Sequence, residues 1–127
     1  MPSDRHWRAI ERYAVDQRSG TASVRRLSRE TGVPVRTIYA VCRSFSGLSP
    51  SAYIRQQRLQ LALDMLRRAQ PGQTTVTQVA TFCGFIQLGR FSQAFRSYHG
   101  QLPSRVLRMA VCYSDHLTVE RRDDQAA

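Results

Sequence analysis

The chain has 127 residues, 42% of them hydrophobic, and a formal net charge of +10 with every one of its 19 basic residues an arginine, enough for one ordinary domain or two small ones that share an element. Three cysteines, Cys42, Cys83 and Cys112, form no Cys-x-x-Cys pair, which argues against a disulfide or zinc framework and leaves buried small apolar side chains as their expected role. The N-terminus lacks the apolar core and cleavage site of a signal peptide, and no apolar run approaches the ~20 residues that span a bilayer, so the expected location is the cytoplasm, on the nucleoid.

Asp4 caps a first expected helix running to about Arg18, with Trp7, Ile10, Tyr13, Ala14 and Val15 inward and Ser19-Gly20 as its stop. Ser23 caps a short second helix that buries Val24 and Leu27, and Gly32 takes the tight turn after it. A third helix is expected from Pro34 to Phe45. Its apolar residues Val35, Ile38, Val41, Cys42 and Phe45 recur at three and four, which leaves Arg36, Tyr39, Ala40 and Arg43 pointing elsewhere. Ser49-Pro50 opens the longest periodic segment, Pro50 to about Ala69, roughly 30 Å long at ~1.5 Å per residue. Its stripe of Ile54, Leu59, Leu61, Ala62, Leu63, Met65 and Leu66 is too broad for one neighbour and predicts packing against both flanking lobes.

Pro71-Gly72 breaks the chain, and Thr75 caps a fifth helix holding Val76, Val79, Ala80 and Phe82. Gly84 turns into a sixth, about Leu88 to Tyr98, with Phe91, Ala94 and Phe95 inward and Arg90, Ser92, Gln93 and Arg96 off that stripe. Leu102-Pro103 opens a last helix reaching as far as Tyr113, and beyond Ser114 mixed charge and scarce apolar residues predict a flexible tail. The expected fold is therefore all-α, with seven helices and two helix-turn-helix subdomains joined by a long central helix. The first lobe spans 1–48, the linking helix 49–70, the second lobe 71–113 and the tail 114–127.

The two lobes are a repeat. Val24, Leu27, Ser28 and Gly32 match Val76, Val79, Ala80 and Gly84 at an offset of 52, whereas Arg43, Gly47 and Pro50 match Arg96, Gly100 and Pro103 at 53. A one-residue slip thus falls between the glycine anchors. Charge follows the repeat: between Gly20 and Arg108 there are 13 Arg against Glu30 and Asp64, a local balance of +11, while outside it six Arg meet seven acids. A positive field confined to a repeated unit suits a polyanion with a repeating shape, and double-stranded DNA is that partner. The Arg residues are spread over several helices, unlike the one basic face of a membrane-surface helix. The absence of Lys fits both an Arg-favouring codon bias and the planar guanidinium's match to phosphate and guanine.

In a helix-turn-helix the first helix crosses the backbone and the second enters the major groove. Two such units set roughly 30 Å apart approach the ~34 Å between successive major-groove segments on one DNA face, so one chain with its two reading helices in parallel can read both over a site of about 20 base pairs. No Gly-rich phosphate loop, paired carboxylates or Ser-His-Asp set is present, and His6, His99 and His116 lack metal-ligand spacing; no catalytic residue, metal or cofactor is expected.

From Val24 to about Arg108 the chain resembles the AraC-type (AraC/XylS) bacterial transcription regulators. The carrying stretches are SPSAYIRQQRLQLALDML at Ser49–Leu66, VATFCGF at Val79–Phe85 and FSQAFRSYHGQLPSRV at Phe91–Val106. The resemblance implies a domain that binds promoter DNA and recruits RNA polymerase, here most simply as an activator. It also implies base contacts from the fourth, seventh and eighth residues after the first turn glycine, which are Arg36, Tyr39 and Ala40. The corresponding second-lobe positions are Leu88, Gly89, Ser92 and Gln93, with Arg90 between them. Arg36 and Arg90 suit guanine and Gln93 suits adenine, while Arg43 and Arg96 are expected to hold the DNA backbone. Arg25 and Arg26, on the backbone-crossing helix, are either further phosphate contacts or a solvated face.

Two departures stand out. Gln87, Leu88, Gly89 and Arg90 replace a polar residue followed by Ser and an aromatic, so the second lobe is expected to read a different sequence or read weakly. Cys42 replaces an inner Phe, a loss that Phe45 is expected to fill in part, leaving the first lobe the less stable. No effector site is expected in this chain. The early start of the first helix favours an excised C-terminal domain over a stand-alone regulator. The alternatives are a DNA-binding piece of a larger sensor-regulator or DNA-repair enzyme, and a non-specific basic DNA-binding protein.

Overall fold

The computed structural model describes residues 4–15 and 23–113. Among them lie seven helices and no strand: α1 (Asp4–Val15), α2 (Val24–Thr31), α3 (Val35–Ser46), α4 (Pro50–Arg67), α5 (Val76–Phe82), α6 (Leu88–His99) and α7 (residues 103–113). The expected stop at Ser19-Gly20 and the expected flexible tail lie outside the described residues. No helix among the described residues is long and apolar enough to cross a membrane.

Local chemistry sets the helix boundaries. Ser23, Ser49 and Thr75 each cap a helix by accepting a hydrogen bond from the backbone N–H three residues on. Pro50 occupies the first turn of α4, where its missing N–H costs nothing. Gly32, Gly47 and Gly100 close α2, α3 and α6 with φ near +75° (74, 74 and 78°), a left-handed backbone that a side chain would strain. α4 has 18 residues and ends two short of the expected Ala69, whose N–H donates to the Leu66 carbonyl three residues back in place of the helical fourth.

Two cores form on α4. Tyr53 and Ile54 join Ile10, Leu27, Ile38, Val41 and Cys42 beneath α1–α3, whereas Leu59, Ala62, Leu63 and Leu66 join Val79, Ala80, Phe91 and Phe95 beneath α5–α7. The broad stripe read from the sequence is therefore shared between two lobes, and α4 packs on α1 and α3 at one end and on α5 and α6 at the other. Two polar clasps tie α6 to α4. Gln56 Nε2 donates to Tyr98 Oη at 2.7 Å, and His99 Nε2 lies 2.9 Å from the Leu59 carbonyl, to which the ring must donate because a carbonyl only accepts.

Some side chains expected inside are not. Phe45 is 42% exposed and lies flat on Trp7, ring centroids 5.2 Å apart and 8° from parallel, while Trp7 also packs on Tyr53 at 4.8 Å. Phe45 therefore packs on Trp7 at the edge of the first core, partly in solvent. Val35, the first residue of α3, and Phe82, the last of α5, are likewise about two-fifths exposed, at 40% and 41%. Cys42 and Cys83 are buried, but Cys112 is exposed on α7, a correction to the expectation that all three are interior.

Candidate nucleic-acid interface

Each lobe presents the second helix of its turn to solvent. In the first, Ile38, Val41 and Cys42 anchor α3, while Arg36, Ala40 and Arg43 are exposed and Tyr39 is half exposed, at 50%. At ~100° per residue these four span an arc of about 100° opposite the buried stripe. In the second, Phe91 and Phe95 anchor α6, with Arg90, Gln93 and Arg96 exposed and Ser92 partly so. Neither α3 nor α6 carries an acidic residue, so both faces are cationic without internal neutralisation.

The turns that hold these helices differ. In the first lobe hydroxyls tie the turn: Ser28 Oγ donates to the Val33 carbonyl at 2.7 Å, and Thr31 Oγ1 donates to the Leu27 carbonyl at 2.6 Å and accepts from the Val33 N–H at 3.3 Å. In the second, backbone bonds do the same work, from Gly84 N to the Thr81 carbonyl at 3.0 Å and from Phe85 N to the Ala80 carbonyl at 2.9 Å. Val33 and Phe85 both pack inward on their own cores. α3 begins at Val35, three residues after Gly32, whereas α6 begins at Leu88, four after Gly84. The repeat's slip is thus Ile86, the extra residue of the second turn, 84% exposed.

Beyond the slip, Arg36, Tyr39, Ala40 and Arg43 correspond to Gly89, Ser92, Gln93 and Arg96. Arg90 is therefore the partner of Thr37 and lies about 60° beyond the edge of the outer arc of α6. It shares a recess of about 250 Å³ with Arg55, Ile86 and Gln87. Arg55, in the second turn of α4, carries no signal in the sequence and also borders a neighbouring recess of about 490 Å³ with Ser49, Arg58 and Gly84. Arg58 is buried, at 6% exposure. Its signal was its place on the buried stripe of α4, four residues after Ile54 and four before Ala62.

On α2, Arg25 and Arg26 are exposed. Arg26 Nε lies 3.0 Å from Glu30 Oε1 one turn on, so part of its charge is already met, although an exposed pair of this kind exchanges readily. Among the described residues no group of three or more His, Cys, Asp or Glu could hold a metal ion.

Two helix-turn-helix units hung on one central helix define a class of DNA-binding fold. A family model described as a helix-turn-helix domain matches residues 27–109. The chain is 33% identical over 86 residues to the XylDLEGF operon transcriptional activator of Pseudomonas putida, covering 68% of this chain and 27% of that protein. It is 30% identical over 84 residues to the HTH-type transcriptional activator RhaS of Pectobacterium atrosepticum, covering 66% and 29%. Among solved structures it matches a probable AraC family transcriptional regulator from Rhodopseudomonas palustris with a TM-score of 0.68 at 30% identity, over 86% of this chain and 99% of the other. The chain belongs to the AraC-type family of transcription regulators, in its helix-turn-helix domain. It spans about a quarter of the length of the two curated relatives.

Proposed function

We propose that the chain binds double-stranded promoter DNA in a sequence-specific way, inserting α3 and α6 into successive major-groove segments, and so regulates transcription as an activator that engages RNA polymerase. The observation that carries this reading is the pair of exposed, arginine-bearing helix faces, free of acid, on two lobes that share α4. The 18 residues of α4 span about 27 Å at ~1.5 Å per residue, short of the ~34 Å between successive grooves, and modest DNA bending absorbs the difference. Arg36, Tyr39, Ala40, Arg90, Ser92 and Gln93 meet base edges; Arg43, Arg96, Arg25 and Arg26 hold phosphates. The operon activator names of the relatives support activation.

A competition gel shift tests the whole: a site selected from random duplexes should outcompete its scrambled version at moderate salt, and equal competition refutes specific readout. Replacing base-facing arginines should then differ from replacing backbone ones. Arg36→Ala and Arg90→Ala should each cost ~1–3 kcal/mol and relax preference at one position, whereas Arg96→Ala should weaken all sequences alike and shallow the salt slope by about one unit. A uniform loss from Arg90→Ala would instead assign Arg90, with Arg55, to a phosphate.

A further inference from the structure

Both reading helices open on an aliphatic side chain left in water. Val35 is the first residue of α3 and 40% exposed; Leu88 is the first residue of α6 and 44% exposed. The offset of 53 makes them the same position of the repeat, so the exposure recurs in two different settings and is not the accident of one loose turn. In the second lobe the extra residue, Ile86, adds a third exposed aliphatic group two positions before Leu88. Gly89 follows Leu88, and a Cβ there would meet nothing within 4 Å, so the backbone beside Leu88 stands open.

At ~100° per residue Val35 and Leu88 stand about 40° beyond the edge of the outer arc that carries Arg36 and Arg43 in one lobe and Gln93 and Arg96 in the other, on the flank away from Arg90. A cationic surface favours a nucleic acid over an apolar protein partner, and a reading helix reaches base edges with its N-terminal residues. The thymine C5 methyl is the apolar group that the four standard base pairs display in the major groove, and apolar side chains read it. We infer that Val35 and Leu88, the first residues of the two reading helices, select thymine through its methyl group. The inference rests on the groove-reading function proposed above.

Uracil tests it, because uracil pairs as thymine does and differs in the major groove by that methyl alone. A duplex selected from random sequence is remade with each thymine replaced in turn by uracil, and binding of the full chain is measured. One thymine under each lobe should show a loss of about fourfold on replacement, the worth of one buried methyl at ~0.8 kcal/mol. Leu88→Ala should bind the thymine and uracil duplexes alike in the second half-site while keeping uracil sensitivity in the first, and Val35→Ala should do the reverse. Both residues are exposed, so helical circular dichroism should be unchanged in either variant. A selected, specifically bound site that tolerates uracil throughout within twofold overturns the methyl reading alone, as does a Leu88→Ala chain that keeps full uracil sensitivity. Failure to enrich any sequence overturns the groove-reading function and this inference together.

Discussion

Cys42 and Cys83 are made inert by burial, which pushes each thiol up to about 11, whereas Cys112 stands in solvent. A disulfide-exchange reagent should therefore label one thiol in the folded chain and three after unfolding; rapid labelling of all three in the native state would refute the burial. The same residues predict an alkaline weakness. In the unfolded chain each buried thiol ionises near its ordinary value of 9.0 and in the folded chain near 11, so below pH ~9 the thiols add no pH dependence. Between the two values unfolding releases protons, and stability falls as pH rises. Tyr53, pushed up to about 12 by burial and then by the nearby charges of Glu11 and Cys42, extends the decline upward from pH ~10. The melting temperature should drop steadily above pH 9, and a Cys42→Ala, Cys83→Ala double variant should flatten the first part of that drop. Burial of Cys42 was legible in the spacing of α3. Exposure of Cys112 was not, because the apolar residues of α7 do not reveal where its packing ends.

Caps and turns are local, and so the helix starts at Val24, Pro50 and Val76 could be read from Ser23, Ser49 and Thr75. What could not be read is how far one helix reaches over another. Spacing at three and four places Val35, Phe45 and Phe82 on an inner face, yet each is about two-fifths exposed, Phe45 with its ring laid on Trp7. The slip was bracketed between glycines by the sequence, and only the two helix starts pin it to Ile86. Two glycines of the second lobe give opposite expectations. Gly100→Ala forces a side chain into φ +78° and should cost about 1 kcal/mol. Gly89→Ala adds a Cβ in open space inside a helix and should gain about 0.5–1 kcal/mol. Urea unfolding of both variants checks the pair, and a gain from Gly100→Ala would contradict the left-handed cap.

Because α4 supplies the floor of both cores, neither lobe is complete without it, yet the cores are unequal. Phe91 and Phe95 fill the second, while Cys42 stands in the first and Phe45 has moved out to Trp7. Native-state hydrogen exchange should find the amides of α2 and α3 opening at lower free energy than those of α6, and equal protection would show that the small Cys42 leaves no weakness. The seven-helix plan and the candidate faces were legible because a repeat displays its anchors twice. The place of Arg90 beside Arg55 was not, since it depends on the slip and on a contact between helices far apart in sequence.

The unequal turns also give the molecule a direction. A lone chain whose second head carries one residue more, Ile86 at its tip, presents a different profile at each end. Under the groove-reading function proposed above, such a reader works like an arrow: turning the site end for end moves bases out of register with one head, and the orientation of the bound chain tells upstream from downstream.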